Sequence, residues 1–272
     1  MKDRIFRRGW LKVQRDILGS FLPQDKNYQK FLLLSRGRMG SNFLLTLLNN
    51  HPELVCYFEP FRKKFKEKRR LAIEQDGKQY FEYNFFKPFP KYINAVGIKM
   101  FYTHGRYPQL DESNTGITGY GPVWDYFVER LSIKVIQLTR ANLLRVYLSE
   151  QKAKQSGDWH NFRGSNKLKN NIGPIELDYE HCRKAFQHIK QREREFSELF
   201  RGHEKLDIQY DQLTTNRQET LREIQRFLGV TELHLTTPLM KQNSDSLADN
   251  ISNYEELKAK FKGSEWEHFF EE

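Results

Sequence analysis

The chain predicts an α/β fold built on a mostly parallel central sheet flanked by helices. Two strand–turn–helix units, at residues 31–48 and 133–148, and short apolar runs alternating with helical patterns carry that expectation. At 272 residues the chain is long enough for one large α/β domain, or for one domain with appendages. We expect residues 1–27 to form a basic N-terminal segment and 28–272 a single domain.

In chain order, Met1 to Gly19 interleaves arginines with Ile5, Phe6, Trp10, Leu11, Val13, Ile17 and Leu18. That spacing suits a basic amphipathic helix packed on the domain, with peripheral contact to an anionic membrane as the lesser alternative. It lacks the continuous apolar stretch of a secretory signal, and no run of about 18 apolar residues predicts a membrane span.

Residues 31–35 form an apolar run short enough for a buried strand, and Arg36 to Gly40 make a turn holding two glycines and two arginines. From Ser41 a helical pattern begins: Phe43, Leu44, Leu45, Leu47, Leu48. Such a unit points backbone N–H groups and a helix N-terminus at an anion. Gly37 and Gly40 permit the turn, Arg36 and Arg38 supply countercharge, and Ser41 can cap the helix and offer a hydroxyl. Only two residues separate the glycines and no lysine follows, so this is not a Walker A loop.

Asn49-Asn50-His51-Pro52 stops the helix. Leu54 to Phe58 reads as a second strand, ending at Glu59-Pro60, where the proline keeps Glu59 out of a helix. A carboxylate there, soon after an anion loop, is within reach of its ligand. Residues 62–90 suit a charged helix and an aromatic, proline-bearing segment. Ala95 to Phe101 forms a third strand with Lys99 inside it. A solvent-facing edge position would account for that lysine; an interior one would demand a partner. Residues 103–121 are loop-like, and Pro122 to Leu131 predicts a short helix.

Ile133 to Thr139 repeats the first motif: an apolar strand, a cation (Arg140) at its C-terminal end, then Leu143, Leu144, Val146, Tyr147 and Leu148 at helical spacing. Ligands of open α/β sheets bind outside the C-terminal ends of strands, and Arg36, Arg38, Glu59 and Arg140 all sit at such ends. Residues 151–173 suit a polar substrate loop, Asp178 to Phe200 a long helix, Lys205 to Tyr210 a fourth strand, and Thr215 to Leu228 a helix ended by Gly229. Tyr254, Leu257, Phe261, Trp266, Phe269 and Phe270 make a docking face near the end of the chain.

The net charge of +10 favours an anionic ligand, a nucleic acid or an acidic surface without choosing among them. Two cysteines, Cys56 and Cys182, cannot build a disulfide framework or a cysteine-based zinc site.

The ordered pair of motifs resembles the sulfotransferases that use 3′-phosphoadenylyl sulfate (PAPS), in their bacterial NodH-like and carbohydrate-type branch. Leu34-Ser35-Arg36-Gly37-Arg38-Met39-Gly40-Ser41-Asn42 is similar to the family's 5′-phosphosulfate loop, and the Ile136 to Ser149 stretch to its 3′-phosphate motif. Asn253 to Leu257 and Gly263 to Trp266 also resemble this branch. The resemblance implies a P-loop NTPase-like sulfotransferase fold, PAPS as donor with PAP as product, no metal, and a hydroxyl of a carbohydrate or glycolipid as acceptor. It places Arg38 on the phosphosulfate, with Gly40, Ser41 and Asn42 as donors, and Arg140 and Ser149 on the 3′-phosphate. Nine helical residues would separate those last two by roughly 13 Å of rise, so Arg145 is a rival for Arg140. Glu59 takes the base position, with His104 as the alternative base; Lys99 would neutralise charge on the leaving phosphate or the sulfuryl group. A cytoplasmic protein is expected, with no nucleic-acid partner. A nucleotide-dependent phosphotransferase on a related sheet and a basic nucleic-acid-binding protein are the alternatives, the latter without any recognition motif to support it.

Overall fold

The computed structural model describes residues 21–58, 66–104, 121–157, 172–237 and 246–271. The amphipathic segment expected at Met1 to Gly19, Glu59, and most of the loops expected at 103–121 and 151–173 lie outside these residues.

Seven strands and eight α-helices are described. They are β1 (Gln24–Asp25), β2 (Gln29–Ser35), α1 (Ser41–Leu48), β3 (Leu54–Tyr57), α2 (Lys66–Asn84), β4 (Phe89–Pro90), β5 (Ala95–Phe101), α3 (Gly121–Val128), β6 (Lys134–Thr139), α4 (Leu143–Ser156), α5 (Tyr179–Leu199), β7 (Lys205–Gln209), α6 (Tyr210–Thr215), α7 (Arg217–Leu228) and α8 (Tyr254–Phe261). Five strands form one parallel sheet in the order β3-β5-β2-β6-β7. The sheet is the α/β architecture the periodicities predict: its strands are apolar on both faces because helices cover both.

Alternation along β2 splits the core. Phe31 and Leu33 face α1 and α7, meeting Leu44, Leu48, Leu221 and Ile224. Leu32 and Leu34 face the opposite layer of Phe81, Trp124, Phe127, Phe196 and Phe200, from α2, α3 and the end of α5. A third cluster joins α4 and α5 to the aromatic face of the C-terminal region, with Phe186, Phe261, Trp266, Phe269 and Phe270 at its centre. The aromatic docking face read from the sequence is thus a packed layer.

The sequence expectations err at several joints. Strand β5 is flanked by β3 and β2, so Lys99 does not face solvent from an edge; it is fully buried. Helix α4 runs on to Ser156, well into the stretch expected as loop, and is stopped by Gly157 in the left-handed region (φ 70). Strand β7 ends at Gln209, and Tyr210 opens α6. The two-stranded sheet of β1 and β4 is additional, as is a parallel bridge from Ile175 to Ile251.

Candidate active site

All five strands of the main sheet end on one edge, and the loops leaving β2 and β6 meet there. Ser35 pairs across the sheet with Phe101 on one side and Leu138 on the other, and its Oγ donates to the Leu138 carbonyl at 3.0 Å. This locks the start of the glycine turn to the strand that leads into Arg140.

The turn itself is strained at one residue. Arg38 has φ 71 and is the non-glycine residue with positive φ among those described. A side chain held in that region costs on the order of 1–3 kcal/mol and persists only where the surroundings enforce it. Here the enforcement is visible. Arg38 donates from Nε and Nη2 to the Oγ of Ser149 on α4, at 2.9 and 2.7 Å. Gly40 follows with φ 85, and the ring of Tyr210 lies so close that a Cβ at Gly40 would stand 2.1 Å from its Cδ2. Both the backbone angle and the packing demand glycine.

Helix α1 starts at Ser41 itself, with Gly40 as its N-cap and no side-chain capping bond. Ser41 is therefore not the cap the sequence suggested; it is buried in the first turn, where the leading N–H groups lie outside the helical ladder. Asn42 accepts a hydrogen bond at 2.5 Å from Lys99 Nζ. The same ammonium lies 4.2 Å from the ring centre of Phe58 and 4.9 Å from that of Phe101. Lys99 is thus an interior cation reaching the helix start under the loop, its charge eased by an amide oxygen and two ring faces.

Arg140 occupies the matching place beyond β6. Its guanidinium lies 4.9 Å from the centre of the Tyr210 ring, and its buried Nε has no hydrogen-bond partner. Burial lowers the pKa of both Arg38 and Arg140. Glu150 opposes this at Arg38 and Tyr210 and Asp211 oppose it at Arg140, while Arg140 depresses Arg38 further and Arg145 does so at Arg140. Two half-buried guanidiniums pressed into one neighbourhood, each depressed mainly by burial, are a setting an incoming polyanion would relieve. Arg145 belongs to the same cluster, and its backbone N–H is taken by the N-cap Asn142. Arg38 resolves the separation of Arg140 and Ser149: it spans the gap, touching Ser149 directly and Arg140 electrostatically.

Other sequence candidates stand differently. Arg36 donates from Nη2 to Glu150 of α4 at 2.7 Å, and Glu150 also takes Lys154 at 3.1 Å. Gly37 is unremarkable in its packing: a Cβ there would meet only Phe101, at 4.0 Å. His104 accepts the Phe101 N–H on Nδ1 at 3.1 Å, so its ring proton sits on Nε2 and the ring offers a donor rather than a lone pair. Glu59 lies outside the described residues. Tyr210 is the residue that sequence reasoning missed; its signal was an aromatic side chain at the C-terminal edge of an alternating strand. Among the described residues no group of three or more His, Cys, Asp or Glu is placed to hold a metal ion.

Residues 127–256 match the family model of the Stf0 sulphotransferases. Nodulation protein H of Rhizobium tropici is 26% identical over 248 residues, covering 89% of this chain and 93% of that protein. Nodulation protein H of Rhizobium meliloti (strain 1021) is 24% identical over 254 residues, covering 89% and 95%. A sulfotransferase crystal structure from Alicyclobacillus acidocaldarius aligns over 86% of this chain and 91% of its own, at 12% identity and a TM-score of 0.44.

Proposed function

Starting from a chain that stands among the NodH-like sulfotransferases, we propose that it transfers the sulfuryl group of PAPS to a hydroxyl of a carbohydrate or glycolipid acceptor. The observation that carries this reading is the contact of Arg38 with Ser149. It joins the two motifs into one cationic site, with Arg140 alongside, suited to an adenine nucleotide phosphorylated at both ends. Arg38 and the first turn of α1 would take the 5′-phosphosulfate, Arg140 and Ser149 the 3′-phosphate.

The chemistry asks the protein for positioning and charge stabilisation rather than covalent work. The acceptor oxygen attacks sulfur, the bond from sulfur to the bridging phosphate oxygen breaks, and PAP leaves with the electron pair. The acceptor proton passes to a base. Glu59 takes that role in our reading, as the carboxylate that follows the glycine turn and the next apolar run in the sequence, while His104 presents N–H. Lys99, fixed between Asn42 and two rings, supports the charge developing on the bridging oxygen. The residues present fit the anionic donor, because burial disfavours the charge on both Arg38 and Arg140. No metal enters the proposed step. We place the protein in the cytoplasm, with peripheral membrane contact of the basic segment before residue 28 as the lesser alternative to its packing on the domain.

The test is a thermal-shift titration with PAP, 5′-AMP and ATP–Mg²⁺ on wild type and Arg140→Ala. A ligand at 100 times its dissociation constant adds about 2.7 kcal/mol. Stabilisation by PAP alone, lost in the variant, is expected; an equal response to ATP–Mg²⁺ would reject the donor and favour a phosphotransferase.

A further inference from the structure

Strands β3 and β5 deliver three side chains to one place beside the glycine turn. Successive side chains of a strand point to opposite faces. On β5, Val96, Ile98 and Met100 belong to the layer of α2 and α3, and Ala95 to that of α1. Lys99 and Phe101 therefore leave the sheet on the α1 side, where Lys99 meets Asn42. On β3, Leu54 and Cys56 pack into the α1 layer, and Phe58 follows two residues later. The parallel register sets Tyr57 against Ile98, so Phe58 comes level with Lys99. The Lys99 ammonium lies over the Phe58 ring at 4.2 Å and over the Phe101 ring at 4.9 Å. His104 adds a third ring, 5.0 Å from that of Phe101.

Burial along this face changes abruptly at the strand end. Leu54 and Cys56 are buried, whereas Phe58 keeps 37% of its surface exposed. The core covers the face up to the strand end and leaves open a large aromatic ring next to an interior cation. Glu59, the base in the reading above, is the next residue in the sequence. An acceptor hydroxyl within reach of that carboxylate brings the rest of the acceptor past residue 58.

The rings also indicate what kind of molecule fits. An aromatic face is the negative side of the ring quadrupole and attracts C–H bonds that neighbouring oxygens make positive. His104 accepts the Phe101 N–H on Nδ1, so it carries its proton on Nε2 as a donor beside the rings. Ring faces with a few polar groups between them suit a pyranose, which has C–H bonds on its faces and hydroxyls around its rim. A phenol would call for enclosure on both faces, and Phe58 is open.

We propose that Phe58 is the acceptor platform: a sugar ring lies with its C–H face on the open side of Phe58, beside Phe101 and His104, and so turns one hydroxyl toward the sulfuryl group near Lys99. This assignment rests on the sulfuryl-transfer reading and adds to it the residue that selects a cyclic sugar.

The test uses the full chain. Saturation-transfer NMR on the PAP-loaded protein reads binding of the methyl β-pyranosides of glucose, galactose and N-acetylglucosamine, with sorbitol and 4-methylphenol as controls. Initial rates with PAPS then follow transfer to the pyranoside that binds best. Wild type is compared with Phe58→Leu, which keeps apolar bulk, and Phe58→Trp, which keeps an aromatic face. Pyranosides are expected to bind wild type through one ring face, and sorbitol not to bind. Phe58→Leu should raise the pyranoside KM about fivefold with kcat and PAP affinity nearly unchanged, and Phe58→Trp should restore it. A lower kcat at unchanged KM in Phe58→Leu would overturn the proposal, since the ring would then only shield Lys99. Stronger binding of 4-methylphenol, an equal response to sorbitol, or no pyranoside binding in a protein that binds PAP would overturn it too. If Phe58→Leu fails to fold, the wild-type contact pattern decides: saturation spread evenly over both faces of the sugar rejects a platform. A protein that ignores PAP yet binds pyranosides, with the Phe58→Leu loss, would reject the donor and keep the platform.

Discussion

Arg38 and Ser149 are 111 residues apart in sequence, yet two N–H groups of the first converge on the single Oγ of the second. A serine hydroxyl accepts both bonds and keeps its own proton to donate. The pair therefore presents an anion with a guanidinium and a hydroxyl already aligned, and the ordering entropy is met before the ligand arrives.

Replacing Ser149 with Ala removes the acceptor and leaves Arg38 in a left-handed conformation without its anchor. PAP affinity should fall by about ten- to a hundredfold, the scale of a hydrogen bond to a charged group at about 1.5–3 kcal/mol. Calorimetric titration checks it; wild-type affinity would mean that Arg38 is held by the turn alone.

Gly40→Ala should destabilise the fold by about 1–3 kcal/mol through strain and overpacking against Tyr210. Chemical denaturation gives the stability. Because Tyr210 also supports Arg140, the cost should appear in PAP binding too, and a variant weakened in one measurement only would separate the two roles of that ring.

Lys99→Met keeps the chain length and removes the charge beneath the loop. The turnover number should fall by about a hundredfold, the scale seen when one stabilising group is lost, while PAP binding changes much less. Steady-state kinetics distinguish this from a binding role: an unchanged turnover number would leave Lys99 as a tether for Asn42.

Glu82 supplies the pH prediction. Burial works to raise its carboxyl, but hydrogen bonds from Lys30, Lys26 and Tyr126 outweigh that and hold it at about 2. A depressed folded value means the stabilisation is present above the ordinary carboxylate pKa near 4.5 and is lost as pH falls from there toward 2. Glu82→Gln should flatten that part of the melting-temperature profile; a wild-type slope in the variant would move the acid sensitivity elsewhere.

The two strand–turn–helix units were legible because each lies within about fifteen residues, where strand period, turn and helix period follow one another in plain order. Strand neighbours were not, because pairing is non-local: β5 inserts between β2 and β3, which precede it in the chain, and this alone turned Lys99 from an edge residue into an interior one. The use of Arg36 was illegible for the same reason, since its partner Glu150 is 114 residues away. Tyr210 was counted on the strand it follows, and only the packed ring against Gly40 shows why that glycine is needed.

The helix bearing Ser149 is fastened from the far end of the chain. Its N-cap Asn142 donates to the Phe269 carbonyl at 2.8 Å, Lys152 bonds to Asn250, and the Ile175–Ile251 bridge lies alongside. During synthesis, the glycine turn leaves the ribosome first and the second motif about a hundred residues later. The second motif lacks this brace until residues 246–271 have emerged. The cationic site is thus completed last, at a stage when nearly the whole sheet is already available to hold it, and a nascent chain stalled after β7 carries both motifs without the brace that fixes α4.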